Sequence, residues 1–578
     1  MQRFAVAIAE VLSKVLNETV LPGELATPPD PKLGDFAYPC FQRAKSQKKN
    51  PAQVATELKV AVAAHDDFKT LSTSVSVLTA GPYLNFLIDT KVAAETLLPA
   101  ILHGTGFGDH AVSAEKRGTW IVEYSSPNVA KPFLIGHLRS TALGAALART
   151  AKQRGWNVVR INHLGDWGTQ YGKLAVALKR YGQLESDALS IDELVKIYVR
   201  FHADLEKHPE LETEAREAFS KLENGDPEVT RIWKKCVEIS LKEFKRVYEL
   251  LGVEFDHYWG ESFYSPYIGD VVTTLKDKKL LIESEGALVV PVEGADGTEL
   301  PPCIIRKSDG ATIYATRDIA AAIYREGQFH FDRMSYVVGG EQRLHFQQVF
   351  CVLKKAGFKW VERCEHIPFG LYRFQGAKMS TRKGNFVTLQ EVLNETKDEV
   401  SKILEAREDT KNLSAAEKDV IVSRVAVGAI VFHDLFTDPI RDVLFDLEKV
   451  LSFEGDTGPY VQYAYTRCES ILKKSGTSNA RPQPAQAVLL VHEAELRLLK
   501  TLGRFPQILD RMLDVRKPSG LAHYLLEVAG LFGTFYHDCP VLTSSGDLKT
   551  ARLGLVEATR RVLGQGLSLL GIPLTERM

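Results

Sequence analysis

The residues best suited to phosphate chemistry lie between Thr119 and Thr150. Residues 119–124 are β-branched and aromatic, which predicts a short buried strand, and the SSPN that follows has turn chemistry. From Gly136 the sequence predicts a helix whose small residues allow close packing on a sheet. A strand, a loop and a helix N-terminus in this order bind phosphate well, because unpaired N–H groups and the helix dipole face the loop. Gly136 permits close approach of a base or a phosphate, and His137 adds a hydrogen-bond donor.

Cationic residues form a second group, KMSTRKG at 378–384. Lys378 is a point charge in a loop flanked by glycines, Met379 could pack near an adenine, and Ser380 could donate to a phosphate. A chance K-M-S tripeptide is the alternative, but a predicted strand and a glycine turn precede this one. Lys131 offers another cation, three residues before the tetrad at 134–137.

These two motifs, in this order, resemble the HIGH and KMSKS signatures of class I aminoacyl-tRNA synthetases. The segments SSPNVAKPF and LRST around the first motif are similar to arginyl-tRNA synthetases in particular. The resemblance extends through most of the chain. It implies ATP-dependent activation of L-arginine and its transfer to tRNA(Arg), with Mg²⁺ brought by the ATP and no protein metal site. In this family the amino acid is activated only once tRNA is bound.

The resemblance also implies roles for particular residues. Expected catalytic residues are His137, Lys378 and Lys131, and expected ATP-binding residues are Gly136, Leu134, Met379, Ser380 and His345. Expected arginine-binding residues are Glu123, Ser126, Asn128, Tyr314, Asp318 and Gln342. Expected tRNA-binding residues are Tyr83, Asn85, His163, Trp167, Tyr463 and Arg467.

Leu134 departs from the family pattern, because it replaces the first histidine of HIGH. A leucine cannot donate a hydrogen bond to phosphate, and loss of one such donor costs about 3 kcal/mol. Three explanations are open: compensation by Lys131 or water, a deliberate substitution, or lost catalysis. We expect a working but slowed enzyme, because His137, Gly136 and the lysine motif remain.

Several assigned residues also have structural interpretations. Asp318 could cap a helix, and Glu123 could pair with Arg160 or Lys131. The planar guanidinium of an arginine substrate pairs best with carboxylates, and this favours a substrate-binding role for Asp318 and Glu123. Tyr314 and Asp318 are four residues apart and would share a helix face.

Aromatic and amide residues in the terminal regions point to RNA. Tyr83 and Asn85 would share one face of a strand, either as tRNA contacts or as a rim aromatic with a structural amide. From residue 457 onward the chain has 15 Lys and Arg against 10 Asp and Glu, within a whole-chain net charge of -1. This local excess favours an RNA-binding domain, although any single ring there could be helix-bundle core.

The predicted fold class is α/β: a Rossmann-like parallel-sheet catalytic core with a helical insertion, a small α+β N-terminal domain and an all-α C-terminal bundle. The expected domains are 1–105, 115–390 with an insertion at about 185–255, a stem-contact region at 391–456 and an anticodon-binding domain at 457–578. After the insertion, GALVVPVEG and CIIRK are predicted to resume the β/α alternation, and 487–512 is predicted to be one helix.

Bulk properties indicate the setting. The seven cysteines are scattered without C-x-x-C spacing, and no apolar run approaches the ~18 residues that span a bilayer. We therefore expect a cytoplasmic protein without a membrane partner, and a monomer. The alternatives to the arginyl enzyme are a non-catalytic tRNA-binding paralogue, a class I synthetase for another amino acid and a small nucleotidyltransferase.

Overall fold

A computed structural model describes residues 1–103, 107–109, 117–182, 189–294, 296–374, 387–406, 413–452, 454–476 and 481–578. The predicted residues Lys378, Met379 and Ser380 lie outside these ranges.

The N-terminal region is a small α+β unit. Its strands are β1 (Phe36–Pro39), β2 (Val75–Ala80) and β3 (Tyr83–Ile88), and its helices are α1 (Gln2–Leu16), α2 (Phe41–Gln47), α3 (Pro51–Ala64), α4 (Asp66–Leu71) and α5 (Thr90–His103). The three strands form an antiparallel sheet in the order β1-β3-β2. The predicted strand pair is thus confirmed.

The catalytic region combines a parallel sheet with helices. Its strands are β4 (Thr119–Glu123), β5 (Asn157–Asn162), β6 (His257–Tyr258), β7 (Ile282–Ser284), β8 (Ala287–Glu293), β9 (Glu299–Arg306), β10 (Arg333–Gly339) and β11 (Cys364–Phe369). Its helices are α6 (Ile135–Gln153), α7 (Thr169–Tyr181), α8 (Ile191–Leu205), α9 (Glu210–Glu223), α10 (Pro227–Leu250), α11 (Ile268–Asp277), α12 (Tyr314–Phe329) and α13 (Arg343–Lys355).

The parallel sheet has the order β11-β10-β4-β5-β6. The chain leaves β4 toward β5 on one side and returns to β10 on the other, so β4 and β10 flank a topological switch point. Helix α6 packs closely on this sheet. A Cβ added at Gly144 would lie 2.2 Å from the Cβ of Tyr124, so the small residues of α6 have the packing role predicted for them.

Strands β7, β8 and β9 differ from the prediction. They form a separate antiparallel sheet rather than a continuation of the parallel one. Glu285 and Gly286 join β7 to β8, and both have positive φ angles, 51° and 77°. Such a two-residue turn matches the twist of paired strands and produces a hairpin.

The C-terminal region is largely helical, as predicted. Its elements are strand β12 (Tyr372–Phe374), helices α14 (Leu389–Glu405) and α15 (Ala415–Phe436), strand β13 (Val443–Phe445), and helices α16 (Leu447–Val450), α17 (Gly458–Ser475), α18 (Pro484–Ala487), α19 (Glu493–Leu502), α20 (Phe505–Val515), α21 (Ser519–Asp538) and α22 (Gly546–Leu570). The single helix predicted at 487–512 is wrong, because the chain breaks between α19 and α20. Pro506 lies in the first turn of α20, where its missing N–H is tolerated.

Arg139 joins the catalytic sheet to this region. Its side chain is fully buried on α6, and its Nη1 donates to the carbonyl oxygen and the carboxylate of Asp434 on α15, at 2.5 and 3.2 Å. Its Nη2 donates to the carbonyl oxygens of Asp438, Pro439 and Arg441 at 3.0–3.2 Å. The Tyr372 hydroxyl on β12 donates to the same Asp434 carboxylate.

The N-terminal unit is fastened to the helical region. Lys500 on α19 donates to the carboxylate of Asp35 at 2.8 Å and to the carbonyl of Ile88 at 3.3 Å. Arg561 on α22 donates to the carbonyl of Leu102 on α5 at 2.7 Å.

None of the described helices has the length and apolar character that crossing a membrane requires.

Candidate active site

The candidate site lies at the switch point between β4 and β10. Glu123 is the last residue of β4, it is opposite Tyr336 on β10, and the loop 124–134 follows it. Helix α6 begins at Ile135, so its N-terminus faces the same crevice. The strand, loop and helix predicted from the sequence are therefore confirmed.

The loop after β4 is held in an uncommon conformation. Ser125, Ser126 and Ala130 have positive φ angles of 73°, 50° and 60°. Each such non-glycine residue costs on the order of 1–3 kcal/mol, which surrounding contacts must offset. Tyr248 and Ser240 on α10 supply two of these contacts: the Tyr248 hydroxyl lies 2.8 Å from the Ser125 hydroxyl, and Ser240 Oγ accepts from Ala130 N at 2.9 Å.

Asn128 packs against the loop that follows β5. Its backbone forms a bridge with Gly165, and a Cβ at Gly165 would lie 2.1 Å from Asn128 Oδ1. Only glycine therefore fits at 165 while Asn128 keeps this position. The Ser126 N–H donates to Asn162 Oδ1 at 3.2 Å, whereas the buried Ser126 Oγ has no hydrogen-bond partner within the part of the chain that the structure describes.

His137 closes the first turn of α6. Its Nδ1 accepts from the Leu134 N–H at 3.0 Å, so in the neutral ring Nε2 carries the proton and can act as a donor. Burial, followed by the charge of Lys131, lowers the pKa of His137 to about 4. A neutral Nε2–H donor is thus available near pH 7. Leu134 is half-buried and Gly136 and Lys131 are exposed.

The segment that follows the lysine motif is paired with the turn before α6. Ile135 N donates to Val387 O and Leu389 N donates to Phe133 O, both at 3.0 Å. Because Val387 is nine residues after Lys378, the described end of this segment lies directly beside the glycine–histidine turn.

Asp318 is the hub of a polar cluster at the crevice. Tyr314 begins α12 and Asp318 lies one turn later, which confirms the predicted shared face and excludes the capping role. The Asp318 carboxylate lies 3.3 Å from His163 Nε2 and 2.6 Å from His345 Nε2. Burial alone would raise the pKa of Asp318, but the hydrogen bonds from the two histidines lower it, so the carboxylate is ionised.

Glu123 is paired with a residue that the sequence did not suggest. Its buried carboxylate accepts from Nη1 of Arg325 on α12. Arg160, the partner considered from sequence, instead pairs with Asp256 and Glu254. Arg325 is seven residues after Asp318, two helical turns along the same face, and this spacing was the signal that could have found it.

Tyr314 lies at the outer edge of this cluster, and Gln342 lies three residues before His345 in the chain. The Tyr314 side chain is 54% exposed and its ring centroid lies 4.8 Å from that of His345. Gln342 is exposed after β10, just before α13. His345, expected from sequence at the ATP site, contacts Asp318, and among the described residues its buried Nδ1 has no hydrogen-bond partner.

The comparisons with known proteins agree with this geometry. A family model described as the catalytic domain of class I tRNA synthetases (R) matches residues 98–447, and models of the DALR anticodon-binding domain and the arginyl-tRNA synthetase N-terminal domain match 461–578 and 2–88. The chain is 44% identical over 554 residues to the arginine–tRNA ligase of Clostridium perfringens, with 95% of each chain covered. It is 42% identical to that of Exiguobacterium sp., with 100% of this chain and 99% of the relative covered. The chain belongs to the arginyl-tRNA synthetases.

A solved structure supports the same assignment. The Thermus thermophilus arginyl-tRNA synthetase matches with a TM-score of 0.83 and 28% identity over the full length of both chains. The arginyl-tRNA synthetase from Plasmodium falciparum matches with a TM-score of 0.82 and 25% identity. These findings confirm the predicted fold class. They give no support to the non-catalytic paralogue.

Two of the residues expected to contact tRNA in an arginyl-tRNA synthetase lie near the crevice. His163 is part of the Asp318 cluster. Trp167 packs edge-on against Trp233 and Phe219 at 5.6 and 5.9 Å, in contact with the inserted helices α9 and α10. The half-buried Trp167 ring thus positions the insertion on the core.

In the N-terminal unit, Tyr83 and Asn85 have different surroundings. Tyr83 is 36% exposed and its ring lies edge-on to Phe41. Asn85 is 2% exposed and its Nδ2 donates to Leu33 O at 2.8 Å, so it orders the loop 27–35. Of the two, only Tyr83 presents an accessible face to RNA.

In the C-terminal bundle, Arg467 lies between two rings. Its Nη1 donates to the Tyr463 hydroxyl at 2.9 Å, and its guanidinium carbon is 4.3 Å from the Tyr536 ring centroid. This stacking fixes the guanidinium plane at the half-buried surface of α17.

The low pKa of His137 predicts a pH-dependent stability. The unfolded chain takes up a proton near pH 6.5, whereas the folded protein does so only near pH 4. The stabilisation from His137 is therefore complete above pH 6.5 and is lost as pH falls to 4. We expect the free energy of unfolding, measured in urea, to fall less steeply over this range in His137→Asn than in the unmodified protein. Equal slopes would contradict a buried neutral imidazole.

Proposed function

We propose that this chain is an arginine–tRNA ligase that works through the residues around the switch point. In the first step, a carboxylate oxygen of L-arginine attacks the α-phosphorus of ATP and pyrophosphate leaves. In the second, the 3′-terminal ribose hydroxyl of tRNA(Arg) attacks the carbonyl carbon of arginyl-adenylate and AMP leaves. The observation that carries this proposal is that the glycine–histidine turn at the start of α6 and the paired carboxylates of Glu123 and Asp318 belong to the same switch-point region of the sheet.

The arginine substrate is assigned to the cluster of Glu123 and Asp318. A guanidinium is planar and permanently charged, so buried carboxylates select it over neutral side chains. Tyr314 packs beside it at the exposed edge, and Asn128, Ser126 and Gln342 supply polar groups for the α-ammonium and the carboxylate. The unpartnered Ser126 Oγ is consistent with a ligand contact there.

ATP is assigned to the N-terminus of α6 and the lysine motif. The dipole of α6, the Nε2–H of His137 and the cations Lys131 and Lys378 would neutralise charge that develops on the phosphate oxygens. Leu134, Gly136, Met379 and Ser380 would line this site, and we retain His345 as its neighbour on the arginine side. Mg²⁺ would arrive with the phosphates. In the described part of the chain, no three His, Cys, Asp or Glu side chains are grouped to hold a metal ion.

The tRNA would extend from this crevice across both terminal regions. Tyr83 and Asn85 are assigned to the tRNA elbow, His163 and Trp167 to the 3′ end, and Tyr463 and Arg467 to the anticodon side. The expected domains, 1–105, 115–390, 391–456 and 457–578, follow this division. We further propose a cytoplasmic monomer.

Charging of total tRNA with each of the twenty amino acids tests the proposal. Arginine alone should be transferred, and pyrophosphate exchange without tRNA should be near background. Transfer of another amino acid, or of none, would overturn the assignment. Robust exchange without tRNA would contradict only the requirement for tRNA.

Leu134→His tests the effect of the missing histidine. The change adds a hydrogen-bond donor at the N-cap of α6, and such a donor to a phosphate is worth on the order of 10²–10³ in rate. Because the Leu134 N–H is already satisfied by His137, the turn should keep its shape. We expect tRNA-dependent pyrophosphate exchange to rise by about tenfold or more, and Leu134→Met, which adds no donor, to leave it unchanged. A fall in rate would show that the leucine is adaptive.

A further inference from the structure

Arg325 is a fully buried cation whose guanidinium is bonded in three directions. Nη1 donates to the Glu123 carboxylate, Nε donates to the Tyr264 hydroxyl at 3.0 Å, and Nη2 donates to His163 Nδ1 at 3.2 Å. The guanidinium carbon also lies 5.3 Å from the Tyr264 ring centroid and 5.9 Å from that of Tyr336. These contacts fix both the plane and the position of the charge.

The bond to His163 also fixes that imidazole. An arginine can only donate, so Nδ1 of His163 must accept and the proton must lie on Nε2. Nε2 faces the Asp318 carboxylate at 3.3 Å, while His345 Nε2 occupies the other carboxylate oxygen at 2.6 Å. A directed chain of hydrogen bonds therefore runs from Arg325 through His163 to Asp318.

Arg325 thus contacts the Glu123 carboxylate directly and is linked to the Asp318 carboxylate through the His163 ring. Two buried carboxylates without a cation would repel each other, and one of them would take up a proton. The Arg325 guanidinium, in contact with Glu123 and one ring away from Asp318, offsets part of this repulsion. The guanidinium of a ligand would supply a second cation for the two carboxylates.

We propose that Arg325 is a positioning residue for substrate recognition: it orients Glu123 directly and Asp318 through His163, so that both carboxylates are held in place for the incoming guanidinium. This inference rests on the proposed function, because it assumes that Glu123 and Asp318 bind L-arginine. It adds a residue that does not itself touch the substrate.

The test is tRNA-dependent pyrophosphate exchange by the full chain with Arg325→Met, Arg325→Lys and the control Arg363→Met. Arg363 donates to Glu326 and to the carbonyl of Phe331, outside the cluster. We expect Arg325→Met to raise the KM for arginine by on the order of 100-fold, with the KM for ATP changed less than about threefold. Arg325→Lys should give an intermediate KM, because an ammonium keeps the charge but not the fork geometry. Arg363→Met should leave both constants unchanged.

The outcomes separate this inference from a structural role. Equal changes in the two KM values, or a loss of thermal stability with an unchanged KM for arginine, would overturn it. If Arg325→Met does not fold, Tyr264→Phe removes one bond to Arg325, and an unchanged KM for arginine in that variant would overturn the inference.

An Asp318→Asn variant with an unchanged KM for arginine would instead refute the proposed arginine site. A raised KM in Asp318→Asn with none in Arg325→Met would refute the positioning role alone.

Discussion

Replacing Asp318 with asparagine is expected to raise the KM for arginine by on the order of 10²–10³, because loss of one partner from a buried charge pair costs about 2–5 kcal/mol. Asparagine keeps an oxygen that can accept from His163 or His345, so the fold should be retained. The variant lacks the negative charge that would pair with the guanidinium of the substrate. Steady-state pyrophosphate exchange with saturating tRNA and ATP measures the change.

Asp277→Asn is the matched control for this variant. Asp277 is exposed at the end of α11, so its loss of charge should leave the KM for arginine unchanged. The KM for ATP should remain within about threefold in both variants, since the expected loss is confined to arginine binding. A parallel rise in the KM for ATP in Asp318→Asn would show that Asp318 acts on the whole crevice rather than on arginine.

Replacing Arg139 with methionine is expected to lower the free energy of unfolding by about 3–5 kcal/mol, because the change leaves a buried carboxylate without its cation. Three carbonyl oxygens between residues 438 and 441 would also lose their donor. The chain around β12 and β13 should loosen with them, since Asp434 also binds Tyr372. Urea-induced unfolding, followed by circular dichroism, measures the loss.

Lys152→Met and a double variant control for this effect. Lys152 is exposed on the same helix, and its replacement should change stability by less than about 0.5 kcal/mol. Adding Asp434→Leu to Arg139→Met removes the stranded charge and should restore part of the loss. No recovery in the double variant would mean that the carbonyl contacts, rather than the ion pair, account for the stability.

Sequence patterns were sufficient for the elements whose signal is local. The alternation around β2 and β3, the strand–loop–helix of β4 and α6 and most C-terminal helices lie where periodicity and turn chemistry predicted them. The assignment of β8 and β9 to the parallel sheet failed, because alternation identifies a strand but not its neighbours. The Glu285–Gly286 pair was the available hairpin signal.

The site was predictable where a motif or a helical spacing carried it. Tyr314 and Asp318 follow from the four-residue interval on one helix. The contacts of Ser125 with Tyr248 and of Glu123 with Arg325 join residues 123 and 202 positions apart, and no local pattern encodes such pairs. For Asn85, strand alternation predicted the same face as the exposed Tyr83 but could not predict burial. Asn85 is buried because it bonds to Leu33 in the loop 27–35.

The fastening of the N-terminal unit to the helical region has a consequence for chimeric enzymes. Lys500 and Arg561 reach Asp35 and Leu102 across the boundary between the two regions that we assign to the elbow and the anticodon side. An N-terminal unit grafted from a distant relative would bring its own loop to these lysine and arginine side chains. Because only the Asp35 contact among these depends on a side chain of the N-terminal unit, a hybrid should be more stable when the grafted unit keeps a carboxylate at this position.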